Sequence, residues 1–424
     1  MGTKYKHNQG WRIRFWFRRL LMRFGTQLLT LLSLAFSLAS YAETDFLLRG
    51  SWALKENTQS FQDFGQNHQR FEGDGLHLSQ AVISTNLRLF DDWTLSGVLN
   101  TYSDGEERLN FSQLYLKYRP LSASSIKPEV KVGAFYPAIS AENTDFGWLS
   151  PHFLTNSAIN SWIGEELRIG GIEVSVRQNG RQVRSSWSWK VLGSVFKGND
   201  TTGTLLSWRG FTLHDRQSLY NDRVNFLPIP GVIDEDGLNA PAWTEPFREI
   251  DNRFGYYFGA HVACKRMAEI RYYYYDNNAD ANVVESDRIY AWHTRFHSLT
   301  LRYMYNPNFT VFSQLLVGDT LMGKSIVDND FKSGFVAAVY SMTPYTFATR
   351  ADWYQVNDND NYALDPNGSA GRAFTISAGR NISEHFSITA EWQVNSGNQQ
   401  NLRFFQDNEH FTEHLFQLAL TATF

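Results

Sequence analysis

The sequence predicts an all-β fold, a transmembrane antiparallel β-barrel of about 16 strands, and three observations carry that expectation. From Glu43 onward, segments of about 10 to 15 residues alternate apolar and polar side chains with a period of two. The connections between them take turns, short and tight, then long and polar, as the two rims of a membrane barrel require. Nowhere in this body does an apolar run approach the roughly 18 residues that a membrane-spanning helix needs.

Composition is consistent with this reading. The chain has 424 residues, 42% hydrophobic and 15% aromatic, with a mean hydropathy of −0.38. That length would suggest two or three soluble domains, yet no Pro- or Gly-rich linker divides it. A β-sandwich of this size would need such linkers, whereas a barrel does not. The single cysteine, Cys264, cannot form an internal disulfide or a thiolate zinc cluster. Thirteen Trp, 20 Tyr and 32 Phe make an aromatic load suited to strands and to membrane-interface belts.

Residues 1–42 read as a secretory signal peptide. Leu28 to Ala42 form an apolar run behind Arg18, Arg19 and Arg23, closed by Ser40-Tyr41-Ala42, with small residues at the processing positions. Met22 would begin a more ordinary leader than Met1. Residues 1–42 hold seven basic and no acidic side chains, so the remainder carries 32 basic against 43 acidic, a net charge of −11. A nucleic-acid partner, which needs a basic face, is not expected.

Residues 43–424 read as one barrel. The expected strands are 45–56, 74–90, 92–102, 109–119, 128–136, 165–178, 182–196, 252–264, 266–277, 287–305, 308–319, 331–341, 344–357, 371–381, 384–396 and 411–424. Boundaries at 287–305 and 308–319 leave 14 or 18 strands open. The last segment shows the pattern well: Phe416, Leu418, Leu420, Ala422 and Phe424 share one face, and Glu413, Gln417, Thr421 and Thr423 the other. Asn179-Gly180 marks a hairpin turn between strands six and seven. Within the bilayer every backbone group must be paired, so these strands must close on one another.

Two connections stand out. Residues 137–164 place Trp148, Phe153, Ile159 and Trp162 among polar residues, too apolar for a solvated loop, and are expected to fold inward as a constriction bearing Glu142, Asp145, Trp148, His152 and Asn160. Residues 197–251 read as a long outer loop with its own hairpin, or as two extra strands.

The ending at Phe424 resembles the assembly signal of Gram-negative outer-membrane proteins. Residues 111–142 resemble the stretch leading into the third loop of the phosphate- and pyrophosphate-selective porin family, with Tyr115, Leu116, Tyr118, Lys131, Gly133, Phe135 and Glu142 at matching positions and a shifted proline, Pro137. The resemblance covers about a tenth of the chain. It implies a porin of the cell outer membrane, a homotrimer set in outer-membrane lipid and lipopolysaccharide, with an inward third extracellular loop.

The strand face opposite the apolar one should line water. It gathers Arg49, Arg88, Lys117, Arg119, Lys131, Arg177, Arg184, Lys190, Arg271, Arg302 and Arg350 against Glu173, Glu269, Asp352 and Glu391. A basic lumen favours anions, so passage of small hydrophilic or anionic solutes is expected. The alternative is a channel specific for an oligosaccharide or an acidic polymer, with Phe135, Tyr136 and Trp148 stacked on sugar rings. Enzyme chemistry is not expected: His297 and Ser298 are adjacent on a strand and point to opposite faces, and His214-Asp215 has no nucleophile motif beside it. The Asp and Asn clusters at 328–330 and 357–361 are explained by turn chemistry, so neither a metal site nor a cofactor is expected.

Overall fold

The computed structural model describes residues 42–55, 60–64 and 67–424. The expected signal peptide lies outside the described residues apart from Ala42. Sixteen strands form the wall: β1 (Ala42–Lys55), β2 (Gly75–Phe90), β3 (Trp93–Thr101), β4 (Leu109–Tyr118), β5 (Ile126–Phe135), β6 (Ile169–Gln178), β7 (Trp187–Lys197), β8 (Gly255–Cys264), β9 (Ala268–Asp276), β10 (Trp292–Asn306), β11 (Phe309–Met322), β12 (Val327–Met342), β13 (Tyr345–Asp358), β14 (Ser369–Asn381), β15 (Phe386–Gln399) and β16 (His410–Thr423).

Each strand pairs antiparallel with its sequence neighbours, and β1 pairs with β16, Leu47 opposite Thr423 through Lys55 opposite Leu415, so the sheet closes into a barrel. Closure leaves no strand edge to be satisfied by water, the condition for a sheet to sit in hydrocarbon. The count of 16 agrees with the sequence.

Alternation decides which side faces what. Val174, Val191, Val195, Val262, Ile270, Leu315, Val317, Val336, Ile376 and Leu420 stand on the outer wall, each 41–56% exposed. Their strand neighbours Ser175, Ser194, Gln314, Thr375 and Thr421 point inward and are buried. An apolar outer wall with a polar inner face is the pattern of a lipid-facing barrel. At the short-turn end the wall carries exposed aromatics, Phe90, Trp187, Tyr305 and Phe424 among them, as an interfacial girdle. Phe424 packs edge-on against Phe386 and within 6.2 Å of Phe46, joining the last residue to the start of the ring.

Several expected boundaries move, strand ten starting at Trp292 and strand twelve at Val327 among them, and two of the shifts have clear local reasons. Strand six begins at Ile169 rather than 165, because Ala158–Glu166 form helix α1, with the Ser157 side chain accepting the Asn160 N–H as its N-cap. Strand seven begins at Trp187 rather than 182. Asn179 does not make a two-residue hairpin; its side chain accepts the Arg181 N–H and caps a short 3-10 turn, Gly180–Val183. Arg184 then adopts a left-handed conformation (φ 55°) in that turn, so it lies on the rim and not on the lumen face.

Placement of the outer wall sets an expected outcome. Ile376→Arg puts a charge at mid-strand on the lipid face and should cost about 2–4 kcal/mol of folding stability. Denaturant titration of the protein refolded into lipid vesicles measures this, with Ile376→Leu as the reference.

Candidate functional site: the lumen and its infolded loops

A ring of 16 strands is too wide for wall side chains alone to fill, and two long connections enter it. The first is residues 136–168. Every residue from Phe153 to Ile169 is buried. Its path crosses the lumen: the Ile139 carbonyl accepts from Thr300 of β10, the Ser140 carbonyl accepts from Arg271 of β9 at 3.1 Å, and Leu149 packs with Leu47, Val82 and Val98 of β1–β3.

Residues 154–158 are then held by charged groups on the opposite wall. Glu391 of β15 accepts the Leu154 and Thr155 N–H groups at 2.7 and 2.9 Å and the Thr155 hydroxyl at 2.6 Å. Arg350 of β13 donates to the Thr155 and Asn156 carbonyls at 2.8 and 2.9 Å, to Asp352 at 2.8 Å and to Glu142. Glu142 in turn accepts the Ser157 N–H at 2.8 Å and the Asn160 amide at 3.1 Å. Arg350, Glu142 and Asp352 have fully buried side chains.

The second infolded segment belongs to 197–251, which adds no strand to the barrel. It contains a two-residue hairpin, Val224–Asn225 with Trp243–Thr244, and its first part turns inward: every residue from Asn199 to Leu219 is buried. Helix α2 (Thr204–Arg209) starts on α1, because the Glu166 carboxylate accepts the Gly203 and Leu205 N–H groups, each at 3.0 Å, and the Trp162 indole N–H at 2.6 Å. Beyond it, Ser218 N–H donates to the Gly164 carbonyl and Tyr220 N–H to the Phe111 carbonyl of β4. Arg70 of the first long loop joins Asp104 of the second and Asp215 of this segment, all at 2.7–2.8 Å. The loops thus cross-link one another over the infolded residues 136–168.

These contacts set the loop carboxyls apart. Burial pushes Glu166 up to about 7 against its three N–H donors, and burial likewise raises Asp365 to about 7. Burial would raise Glu165 too, but Arg209 and then His214 hold it at about 2. Burial, then Arg302, lowers His152.

The sequence-predicted lumen residues therefore divide. Arg350 is a buried bolt, not a water-lining group. Arg49 is also buried, 3.8 Å from Asp215 and 3.4 Å from the Thr421 hydroxyl. Arg271 is bound to Glu269 at 2.8 Å and to the infolded loop. Arg88 and Arg302 are exposed. Lys117, Lys131, Arg177 and Lys190 come together toward the short-turn end. There a cavity of about 700 Å³ is lined by Arg119, Lys127, Arg177, Lys190, His261 and Glu269, among others. Lys117 stands directly opposite Lys131, and Arg177 opposite both Lys127 and Lys190. Lys131 reaches Glu173 at 3.1 Å and Lys190 reaches it at 3.9 Å. Arg119 pairs with Glu129, and no partner is present for Lys117 or Arg177 among the described residues.

Of the constriction residues, Glu142 and Asn160 are structural partners of Arg350 and of the α1 cap. Asp145 caps Phe146–Trp148 and, with His152, lines a second cavity of about 170 Å³. Trp148 stacks on Tyr136 at 4.6 Å between centroids, and both are buried, as is Phe135. These three aromatics are thus not free to stack on a sugar, contrary to the oligosaccharide expectation. Residues at the matched motif have packing reasons. Gly133 has φ 136°, and a Cβ there would lie 2.4 Å from the Leu114 carbonyl and 2.7 Å from the Tyr115 Cα. Sequence reasoning missed Arg70, Asp104, Glu165 and Glu166, whose roles arise only once the loops turn inward.

No family model and no curated protein matches the chain. Solved structures do. It superposes on the outer membrane channel DcaP of Acinetobacter baumannii with a TM-score of 0.53 and 12% identity, over 90% of this chain and 97% of that one. OprB of Pseudomonas putida gives 0.52 and 11%, over 92% and 96%, and the trimer form of OmpT, an outer membrane protein of Vibrio cholerae, gives 0.52 and 9%, over 90% and 99%. At these identities the likeness is one of fold. The chain shares its barrel fold with these proteins.

Two outcomes follow. Arg350→Met leaves Glu142 and Asp352 buried without their cation and should destabilise the barrel by about 3–5 kcal/mol, read as a lower midpoint in denaturant titration. A carboxyl raised in the folded state stabilises it fully below the ordinary carboxylate range, and that contribution is lost as pH rises through the folded value. Amide hydrogen exchange at 203–209, corrected for its intrinsic pH dependence, should therefore speed up between about pH 5 and 8. Glu166→Gln should flatten the profile.

Proposed function

We propose that the protein is a porin-type channel of the cell outer membrane that passes small hydrophilic solutes and prefers anions. The observation that carries the preference is the row of like charges on neighbouring strands, Lys117 opposite Lys131 and Arg177 opposite Lys127 and Lys190. Like charges directly opposite destabilise a sheet, and ion pairing with Glu173 accounts for Lys131 and Lys190 but not for Lys117 and Arg177. Lys127, Arg177 and Lys190 line the cavity, and with Lys117 and Lys131 on the adjoining strands they would focus a positive potential on entering solutes.

The acidic side chains there, Glu129, Glu173 and Glu269, are already engaged by Arg119, Lys131 and Arg271. Lys117 and Arg177 remain for a mobile anion. The apolar outer wall supports a setting in outer-membrane lipid beneath lipopolysaccharide. The fold neighbours include a protein described as an outer membrane channel and one solved as a trimer, which supports passive passage and a homotrimer. Resemblance to the phosphate- and pyrophosphate-selective porins rests on residues 111–142 alone.

Reversal potentials in planar bilayers under a salt gradient test this. The expected current is anion-selective, and the pair Lys117→Glu with Arg177→Glu shifts its reversal potential toward cations. A cation-selective current from the unaltered protein would overturn the preference.

A further inference from the structure

We propose that residues 199–222 are a displaceable plug that closes the long-loop half of the lumen in the conformation seen here and leaves it when the channel conducts. This inference rests on the channel reading above and adds a gate to it, separate from the constriction formed by 136–168.

The segment spans the lumen from wall to wall. The Thr202 carbonyl accepts from Thr294 of β10, the Ser207 hydroxyl from Asn329 of β12, and the Trp208 carbonyl from Gln399 of β15. Leu213 pairs with Gln69 of the first long loop. With Asn199 to Leu219 buried throughout, protein occupies the space that solute would cross at this level.

The seat has the composition of a surface made for water. Behind the segment the wall presents Thr294, Thr320, Asn329, Ser369 and Asn395, hydroxyls and amides where a permanent filling would be packed best by apolar side chains. Many of these groups fit the plug poorly. Thr212 Oγ1, Ser218 Oγ and Gln217 Oε1 on the plug, with Asn329 Oδ1, Ser369 Oγ and Asn395 Nδ2 on the wall, are buried without a protein hydrogen-bond partner. Entry of water would satisfy each of them, so the polar seat favours release as well as docking. Apolar fixing on the wall side comes from Leu206, Phe211 and Leu213, in one cluster with Trp162, Phe296 and Phe331, while Leu205 and Trp208 pack with Val224, Phe226, Ile229 and Val232 of the same long connection and can move with it. Both ends of the plug return to the long-loop rim at Lys197 of β7 and Gly255 of β8, so it can leave the lumen without unpairing any barrel strand.

The test is a reversible lock. In a Cys264→Ser background, Ser207→Cys with Asn329→Cys places thiols where a 2.9 Å hydrogen bond now joins the segment to β12. Single-channel current is read with the pair oxidised, then after reductant, beside a variant in which 199–222 is replaced by a short Gly-Ser linker. The expected result is loss of current on oxidation, recovery on reduction, and persistent current in the linker variant. Equal current from oxidised and reduced pairs would overturn the plug while leaving the channel intact. No current from any of the proteins, each shown to be folded by its heat-dependent gel mobility, would overturn both the channel reading and the plug. Current from the linker variant alone would show a fixed filling and overturn the displacement.

Discussion

Closure of the strand ring between β1 and β16 is the constraint on which the rest of this structure depends. In hydrocarbon an unpaired N–H or C=O costs several kcal/mol, so the sheet must close, and closure at 16 strands determines how wide the lumen is. Once the period-two pattern turns Val336, Ile376 and Leu420 outward, the hydroxyls and amides beside them must line the inside. The interior is then a polar tube wider than its own side chains can fill.

The protein fills it with chain. Residues 136–168 and 199–222 carry backbone groups into the lumen, and each buried N–H or C=O there needs a partner. Charged wall residues supply several: Glu391 takes two N–H groups and a hydroxyl, and Arg350 takes two carbonyls. These ions are therefore fasteners for the loops. A lumen ion that is paired and fully buried speaks of loop docking, whereas Lys117 and Arg177 are left without a partner among the described residues. The same sequence pattern, a basic residue on the inward face of a strand, yields both outcomes, and only the height of the residue along the barrel separates them.

The two cavities lie below the loop layer, toward the short turns, on opposite flanks of residues 136–168: one along β4–β9, one along β1 and β13–β16. Basic groups dominate the larger. The loop layer above holds many of its charges in closed pairs, Arg216 with Asp222, Arg209 with Glu165, Arg70 with Asp104 and Asp215.

By itself the sequence determined the wall. Alternation is a local property of each strand, so a count of about 16, the lipid-facing set, most of the inward-facing set and the two classes of connection were legible without knowing which strands meet; Arg184, drawn into a turn, was not. The apolar content of 137–164 likewise showed that this loop needs a packing partner. The tertiary structure alone decided what the loops do. That Arg70 meets Asp215, 145 residues away, or that Glu166 caps a helix in the next loop, depends on chain segments brought together by ring closure, and no local periodicity encodes it. For the same reason Arg350 and Arg177, alike in sequence, part company: one is sealed beneath a loop and the other faces a cavity, because burial is set by what folds over a residue, not by its own strand.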